Sequence, residues 1–565
     1  MPKIATFVGN YSGMKYLLCL LLGLTNLSIV AQEYKDLEDK AYELTESTKD
    51  TIANAQEAFS IFTSLHEKYP EKDDFWNLYY TAYAANRCGK ENEVFHWLEK
   101  TLTHYNEVDV AMIEEYAPTD FSSIYKTEQW KLLQNRIDSL IKIRVDAIKQ
   151  TQSYLMLTGL ATIDFDGTEI GKEMYYQIKN FHSFPMLNQK EIFGFIRLND
   201  TLENSYFVKI PTSYTPEKQS KVLLFLPGAV RFQKIPSYPT TELENDWQRF
   251  YKKYAEKYNI IMVYPNCSKE YNWMLKDKGF FMIPEILKQL KTFLNIDDNG
   301  VFISGHSNGA TGSFNYLVKN PSEFSGFYGF NTQPKVYTGG TFLKNVSNRY
   351  FYNVSTDQDY YFPPEANDTL TLVAKKVGLQ FLDHRYIGYP HWFPKFDASE
   401  PAVKGVFQDV LAHERNPYND TIYWECDDVK NGKVDWLAIT KLDTLSKRAS
   451  WHKKIDFGIH KWYYITDADT LAVKEVDKRA FDFPRKSGAV KAVFNNNTFY
   501  LETSCVNQVT VYVSPEMVEM DKPIHVYVNG VLRKTIMPAY DKAFIQENFE
   551  MYHDRKAIWV QKIVI

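Results

Sequence analysis

The segment Gly305-His306-Ser307-Asn308-Gly309 places a serine two positions from a glycine on either side. The apolar run Val301-Phe302-Ile303-Ser304 leads into it, and Ala310-Thr311-Gly312-Ser313-Phe314 opens a helical stretch behind it. On so sharp a strand-to-helix bend the serine is held under strain, and the flanking glycines remove the side chains that would strike the strand or the helix. A serine hydroxyl of ordinary acidity is a poor nucleophile. It needs a histidine to take its proton and a carboxylate to fix that histidine's tautomer. His391, in the aromatic and proline-stiffened segment Tyr386-Ile387-Gly388-Tyr389-Pro390-His391-Trp392-Phe393-Pro394, suits the first role. His384 competes but falls in Leu382 to Ile387, a strand pattern where a structural histidine is the commoner outcome. The run Tyr350 to Val354 reads as a strand ending in Ser355-Thr356-Asp357-Gln358-Asp359-Tyr360-Tyr361-Phe362-Pro363, where either Asp357 or Asp359 can serve as the acid. The oxyanion formed on attack needs fixed N–H donors. The amide of Asn308 supplies one, and Ala229, in Leu226-Pro227-Gly228-Ala229-Val230, the second.

The elements that must position these groups follow from the patterning. Val222 to Leu226, Ile260 to Tyr264 and Val301 to Ser304 are unbroken apolar runs, as expected of strands covered on both faces of a parallel sheet. Between the second and third, Ile283, Ile286, Leu287, Leu290 and Leu294 line one face of a helix. Strand, helix, strand implies a right-handed crossover and a doubly wound α/β domain.

Taken together, these residues resemble the α/β-hydrolase superfamily, and within it secreted serine esterases such as polyhydroxyalkanoate depolymerases, feruloyl esterases and esterase D. The resemblance runs from about Phe193 to His413 and includes Tyr206 to Pro211, the Gly228 loop and Tyr264-Pro265-Asn266. It implies the chain order nucleophile, acid, histidine, and it favours Asp359, four residues before Pro363, over Asp357. The Gly228 loop resembles the His-Gly-Gly loop of such esterases, with Pro227 in place of the histidine and Ala229 in place of the second glycine. The implied activity is hydrolysis of a small or polymeric ester, carbohydrate-linked in one reading suggested by the abundant aromatics. A serine peptidase using the same three side chains is the nearest alternative. An inactive binding or scaffold protein is the alternative from another class.

Around this centre, 565 residues at about 150 per domain suggest three or four domains. Tyr16 to Ala31 resembles a signal peptide occupying 1–31, with Met14 a possible start, and its apolar core is too short for a stable span. This implies secretion or a periplasmic location. Residues 33–150 have helical periodicity. Phe75 to Leu102 folds back at Cys88-Gly89-Lys90, buries Val94, Trp97, Leu98 and Leu102, and resembles tetratricopeptide-type repeats, which implies a groove for a protein partner or a packing appendage. A connecting segment, 151–192, leads to the catalytic domain, 193–415. From 418 to 565 alternation takes over, with a hairpin signal at Asn529-Gly530, and a β-sandwich-like accessory module is expected.

Composition bounds the partners. With 65 Lys plus Arg against 70 Asp plus Glu, and no run of basic residues, nucleic acid is not expected. The cysteine spacings and the 12 histidines contain no metal-ligand motif, so neither metal nor cofactor is expected. Cys426 and Cys505 either pair in an oxidising compartment or remain buried thiols.

Overall fold

The computed structural model describes residues 33–45, 52–104, 113, 116–157, 161, 163–165, 168, 170–230, 248–274, 278–466 and 470–565. The leader segment and nearly all of the loop 230–246 lie outside the described residues. The chain divides into two compact units between Val145 and Asp146.

In the second unit, Val222, Leu224 and Leu226 join one apolar core while Leu223 and Phe225 join another. This division explains the unbroken apolar run: successive side chains point to opposite faces, and both faces are covered. The strands β1 (Glu191–Arg197), β2 (Glu203–Lys209), β3 (Ser220–Leu226), β4 (Ile261–Pro265), β5 (Ile296–Gly305), β6 (Gly326–Phe330), β7 (Phe351–Gln358) and β8 (Phe381–Pro390) form one sheet in the order β1-β2-β4-β3-β5-β6-β7-β8. β2 pairs antiparallel with β1 and β4, and every later pairing is parallel. The helices Met282–Leu290, Asn308–Lys319, Pro364–Lys376 and Glu400–Ala412 connect or flank these strands.

Two boundaries differ from the sequence reading. β7 continues through Gln358 because buried Ser355 and Thr356 still pair with Arg385 and Tyr386 of β8. The helix expected to reach Leu294 ends at Leu290, after which Phe293 and Leu294 enter the core from a turn.

The first unit contains a helix at 33–45 and the helices Ile52–Lys68, Phe75–Arg87 and Glu91–Thr101. Asp74 and Asn77 form a reciprocal capping box at the start of the second named helix. Gly89, with φ of 69°, makes the turn, and Val94, Trp97, Leu98 and Leu102 are buried as the spacing implied.

Beyond residue 418, two sheets share one core. One runs Val531–Ile536, Ile524–Val528, Thr498–Ser504, Gly488–Asn495, Thr421–Cys426, and the other Lys433–Val434, Leu437–Leu442, Val506–Val513, Gln561–Val564. Asn529 and Gly530 both have positive φ, the geometry a tight hairpin turn demands. The alternation did not reveal the helix Lys542–Tyr552. Its Ile545, together with Ile558 and Val560, packs against Met174, Tyr175 and Ile178 of the helix Gly171–Lys179, so the connecting segment contributes to this region's packing. A hairpin, Gly458–Ile465 with Leu471–Arg479, stands outside both sheets. Cys426 and Cys505 are free thiols, and burial pushes the Cys426 thiol up to about 12.

Candidate active site

Four of the groups singled out from sequence sit beyond the carboxyl ends of parallel strands: Ala229 after β3, Ser307 after β5, Asp359 after β7 and His391 after β8. An open parallel sheet gathers its chemistry at that edge.

Ser307 is the sharpest feature. Its backbone has φ of 55° and ψ of −119°, where an L-residue is strained by about 1–3 kcal/mol. Local bonds hold it there. Its N–H donates to the carbonyl of Phe330 at 3.0 Å, and the N–H of Gly309 donates to the carbonyl of His306 at 2.8 Å. The close approaches leave no room for side chains: a Cβ on Gly305 would lie 2.4 Å from the carbonyl carbon of Gly309, and one on Gly309 would lie 1.8 Å from the oxygen of Leu226. The helix Asn308–Lys319 begins immediately after the serine, so the positive end of its dipole lies beside that residue.

Across the site, Asp359 Oδ1 is 2.9 Å from His391 Nδ1, and both residues are buried. The imidazole N–H does not point along that line, so the contact has the distance of a hydrogen bond without its direction. Such alignment in unliganded sites commonly tightens when substrate binds. The same Oδ1 accepts the N–H groups of Tyr361 and Phe362 at 2.9 and 3.2 Å, which fixes the carboxylate on its turn. Asp357 points elsewhere: at the end of β7, its Oδ1 accepts the N–H of Gly388 at 2.7 Å. His384 is exposed on β8 and stacks on Tyr352.

Two residues not singled out as site groups tie the histidine loop to the serine turn. His306 Nε2 donates to the carbonyl of His391 at 2.8 Å, and Asn331 Nδ2 donates to the same oxygen at 2.6 Å. A carbonyl only accepts, so His306 carries its proton on Nε2. Burial, reinforced by neighbouring His391, holds the His306 imidazole down to about 3, so it stays neutral at ordinary pH. The residue before Ser307 thus grips the loop that carries His391. The His306 and His391 rings are 4.9 Å apart.

In the loop after β3, Gly228 runs against the serine, where an added Cβ would sit 3.1 Å from Ser307 Cβ. Ala229 has φ of 54°, so the alanine occupies a left-handed position that glycine would adopt freely. On the opposite rim Tyr361, 54% exposed, lies 4.5 Å from the His391 ring, with Tyr360 and Trp392 beside it. Among the described residues no cluster of His, Cys, Asp and Glu could hold a metal ion, and no helix is long and apolar enough to cross a membrane.

The strand order, the antiparallel second strand and the strained serine between β5 and its helix are those of the α/β-hydrolase fold. No family model and no curated protein matches the chain. Among solved structures it is similar to a thermostable esterase at 17% identity and TM-score 0.33, over 40% of this chain and 64% of that one, under two thirds of that enzyme's length. It is also similar to the S-formylglutathione hydrolase of Staphylococcus aureus (14% identity, TM-score 0.30, 39% of this chain and 99% of that one). A third is the dipeptidyl peptidase 4 of Porphyromonas gingivalis (11% identity, TM-score 0.32, 40% and 35%).

Proposed function

We propose that the chain is an exported serine hydrolase that cleaves carboxylic esters through an acyl-enzyme on Ser307. In this reading His391 takes the Ser307 proton as Oγ attacks the ester carbonyl, and Asp359 holds the imidazole in the tautomer that leaves Nε2 free to accept. The amides of Asn308 and Ala229 stabilise the oxyanion. His391 then delivers its proton to the departing alcohol. In the second half it deprotonates a water that attacks the acyl-serine, releasing the acid and restoring the serine. Esters are preferred to amides here because an alcohol leaves with less demand on that one proton donor. The exposed ring of Tyr361, with the half-buried Trp392 beside it, favours an alcohol with a flat apolar face, such as a sugar, on the histidine side.

The observation that carries the reading is the left-handed Ser307 joined, through the His306 bond to the His391 loop, to a carboxylate 2.9 Å from the imidazole. A fluorophosphonate probe tests it. The folded wild type is expected to label at Ser307, and Ser307→Ala not to label. Asp359→Asn should slow labelling about 100-fold or more, by analogy with loss of the orienting carboxylate in other triads, while Asp357→Asn stays near the wild-type rate. A folded wild type that does not label would contradict the proposal. The reverse ranking of the two aspartates would reassign the acid.

A further inference from the structure

We infer that Trp462, on the hairpin that the C-terminal region sends across the α/β domain, is a positioning residue for the carboxylate that orients His391. The inference rests on the triad reading above. The hairpin belongs to neither sheet of the C-terminal region. An isolated two-stranded ribbon is marginal in water, so its order comes from what it packs against. Phe457, Ile459 and Phe481 at its base are buried within the core of the α/β domain, in the cluster that also contains Phe362, Ala366 and Leu370. Further along the strand, Trp462 meets Phe362 edge-to-face with centroids 6.4 Å apart, and Lys478 Nζ lies 4.5 Å above the indole. Lys461 approaches Glu365, on the helix after the aspartate loop, at 3.8 Å.

From Phe362 the chain of contacts to the imidazole is short. The Phe362 ring is buried, its own N–H donates to Asp359 Oδ1, and that oxygen is the one 2.9 Å from His391 Nδ1. The Asp359 turn therefore has two supports, the strand behind it and the ring of Phe362, and Trp462 backs the second. Without the indole, Phe362 can withdraw toward the hairpin and take its amide with it. The carboxylate contact, already poorly directed, then loses one of the donors that aim it. Substrate would bind as before while the serine is activated less, because Trp462 and Phe362 act only through the Asp359 carboxylate.

The test is the kinetics of Ser307 modification by a fluorophosphonate in the full chain. Trp462→Ala should lower the saturating labelling rate about tenfold or more, with the half-saturating concentration within about twofold, as expected of a small misplacement of a reacting group. Trp462→Phe, which restores an aromatic edge, should recover most of the rate. Val473→Ser, exposed on the partner strand of the hairpin, should label as wild type. Should Trp462→Ala lose its folded circular-dichroism signal, Phe362→Leu, apolar but without the ring, should show the same slowing at unchanged half-saturation. Wild-type labelling rates in the alanine and leucine variants, or slowing caused wholly by weaker probe binding, would overturn the positioning role while leaving the triad reading intact. A wild type that does not label at Ser307 would overturn that reading, and the positioning role with it.

Discussion

At the scale of residues, the site depends on groups that are not themselves reactive. His306 stays neutral because burial denies its imidazolium a solvation shell, and in that state its Nε2–H can hold the His391 carbonyl. The consequence for stability has a definite sign. Unfolded, this histidine takes up a proton near 6.5; folded, it resists until about 3. Between those values the unfolded chain binds more protons, so the neutral histidine's contribution is intact above about pH 6.5 and declines below it, by a few kcal/mol at most. Urea unfolding of the wild type should show stability falling from pH 7 to pH 5. His306→Gln, which keeps a donor for the carbonyl, should show a slope smaller by about one proton; equal slopes would contradict the assignment. Ser307, Asp359 and His391 could be nominated from sequence because each sits in a short local pattern. The grip of His306 and Asn331 could not, since their shared acceptor lies 85 and 60 residues away and no spacing rule marks a hydrogen bond to a backbone carbonyl.

At the scale of elements, the loop after β3 carries a test of its own. Ala229 holds a left-handed conformation that costs an L-residue about 1–2 kcal/mol, and a β-branched side chain more. Ala229→Gly should keep the thermal midpoint within a few degrees and retain ester turnover. Ala229→Val should lower both, and a valine variant as stable and active as the glycine one would show that the loop does not depend on this conformation. The inner strands β3, β4 and β5 were legible because covering both faces forces a continuous apolar run, as at Val222 to Leu226. The end of β7 was not. Ser355, Thr356 and Asp357 look like a loop, yet pairing with β8 and the Asp357 bond to Gly388 extend the strand, and this separates the two candidate acids: one ties strands together and the other faces the histidine. The helices Gly171–Lys179 and Lys542–Tyr552 were hidden for a related reason, each being short and owing much of its stability to the other's side chains.

At the scale of the whole molecule, the α/β domain and the β region are joined by buried ion pairs. Arg415, just after the last helix of the α/β domain, makes two hydrogen bonds to Asp554 at 2.7 and 3.1 Å. Arg349 does the same with Asp435 at 2.7 and 3.0 Å. Burial alone would raise the Asp554 carboxyl, but Arg415 and Lys291 hold it well below the usual carboxylate range. Removing one partner from such a pair strands the other charge, so Arg415→Ala should cost about 3–5 kcal/mol in denaturant unfolding. A loss under 1 kcal/mol would mean that the pair is not buried as described. The β region is therefore built into the fold of the α/β domain, a dependence that composition shifts along the chain could not reveal. The proposed reaction passes through a single covalent bond between Ser307 and the acyl group, and that bond can be trapped. When the protein is mixed with p-nitrophenyl butyrate and quenched in acid, peptide mass spectrometry should find the butyryl group on the Ser307 peptide of the wild type, and Ser307→Ala should neither acylate nor turn over. Ester turnover at the wild-type rate by Ser307→Ala, or a butyryl group found only on other peptides, would contradict the account.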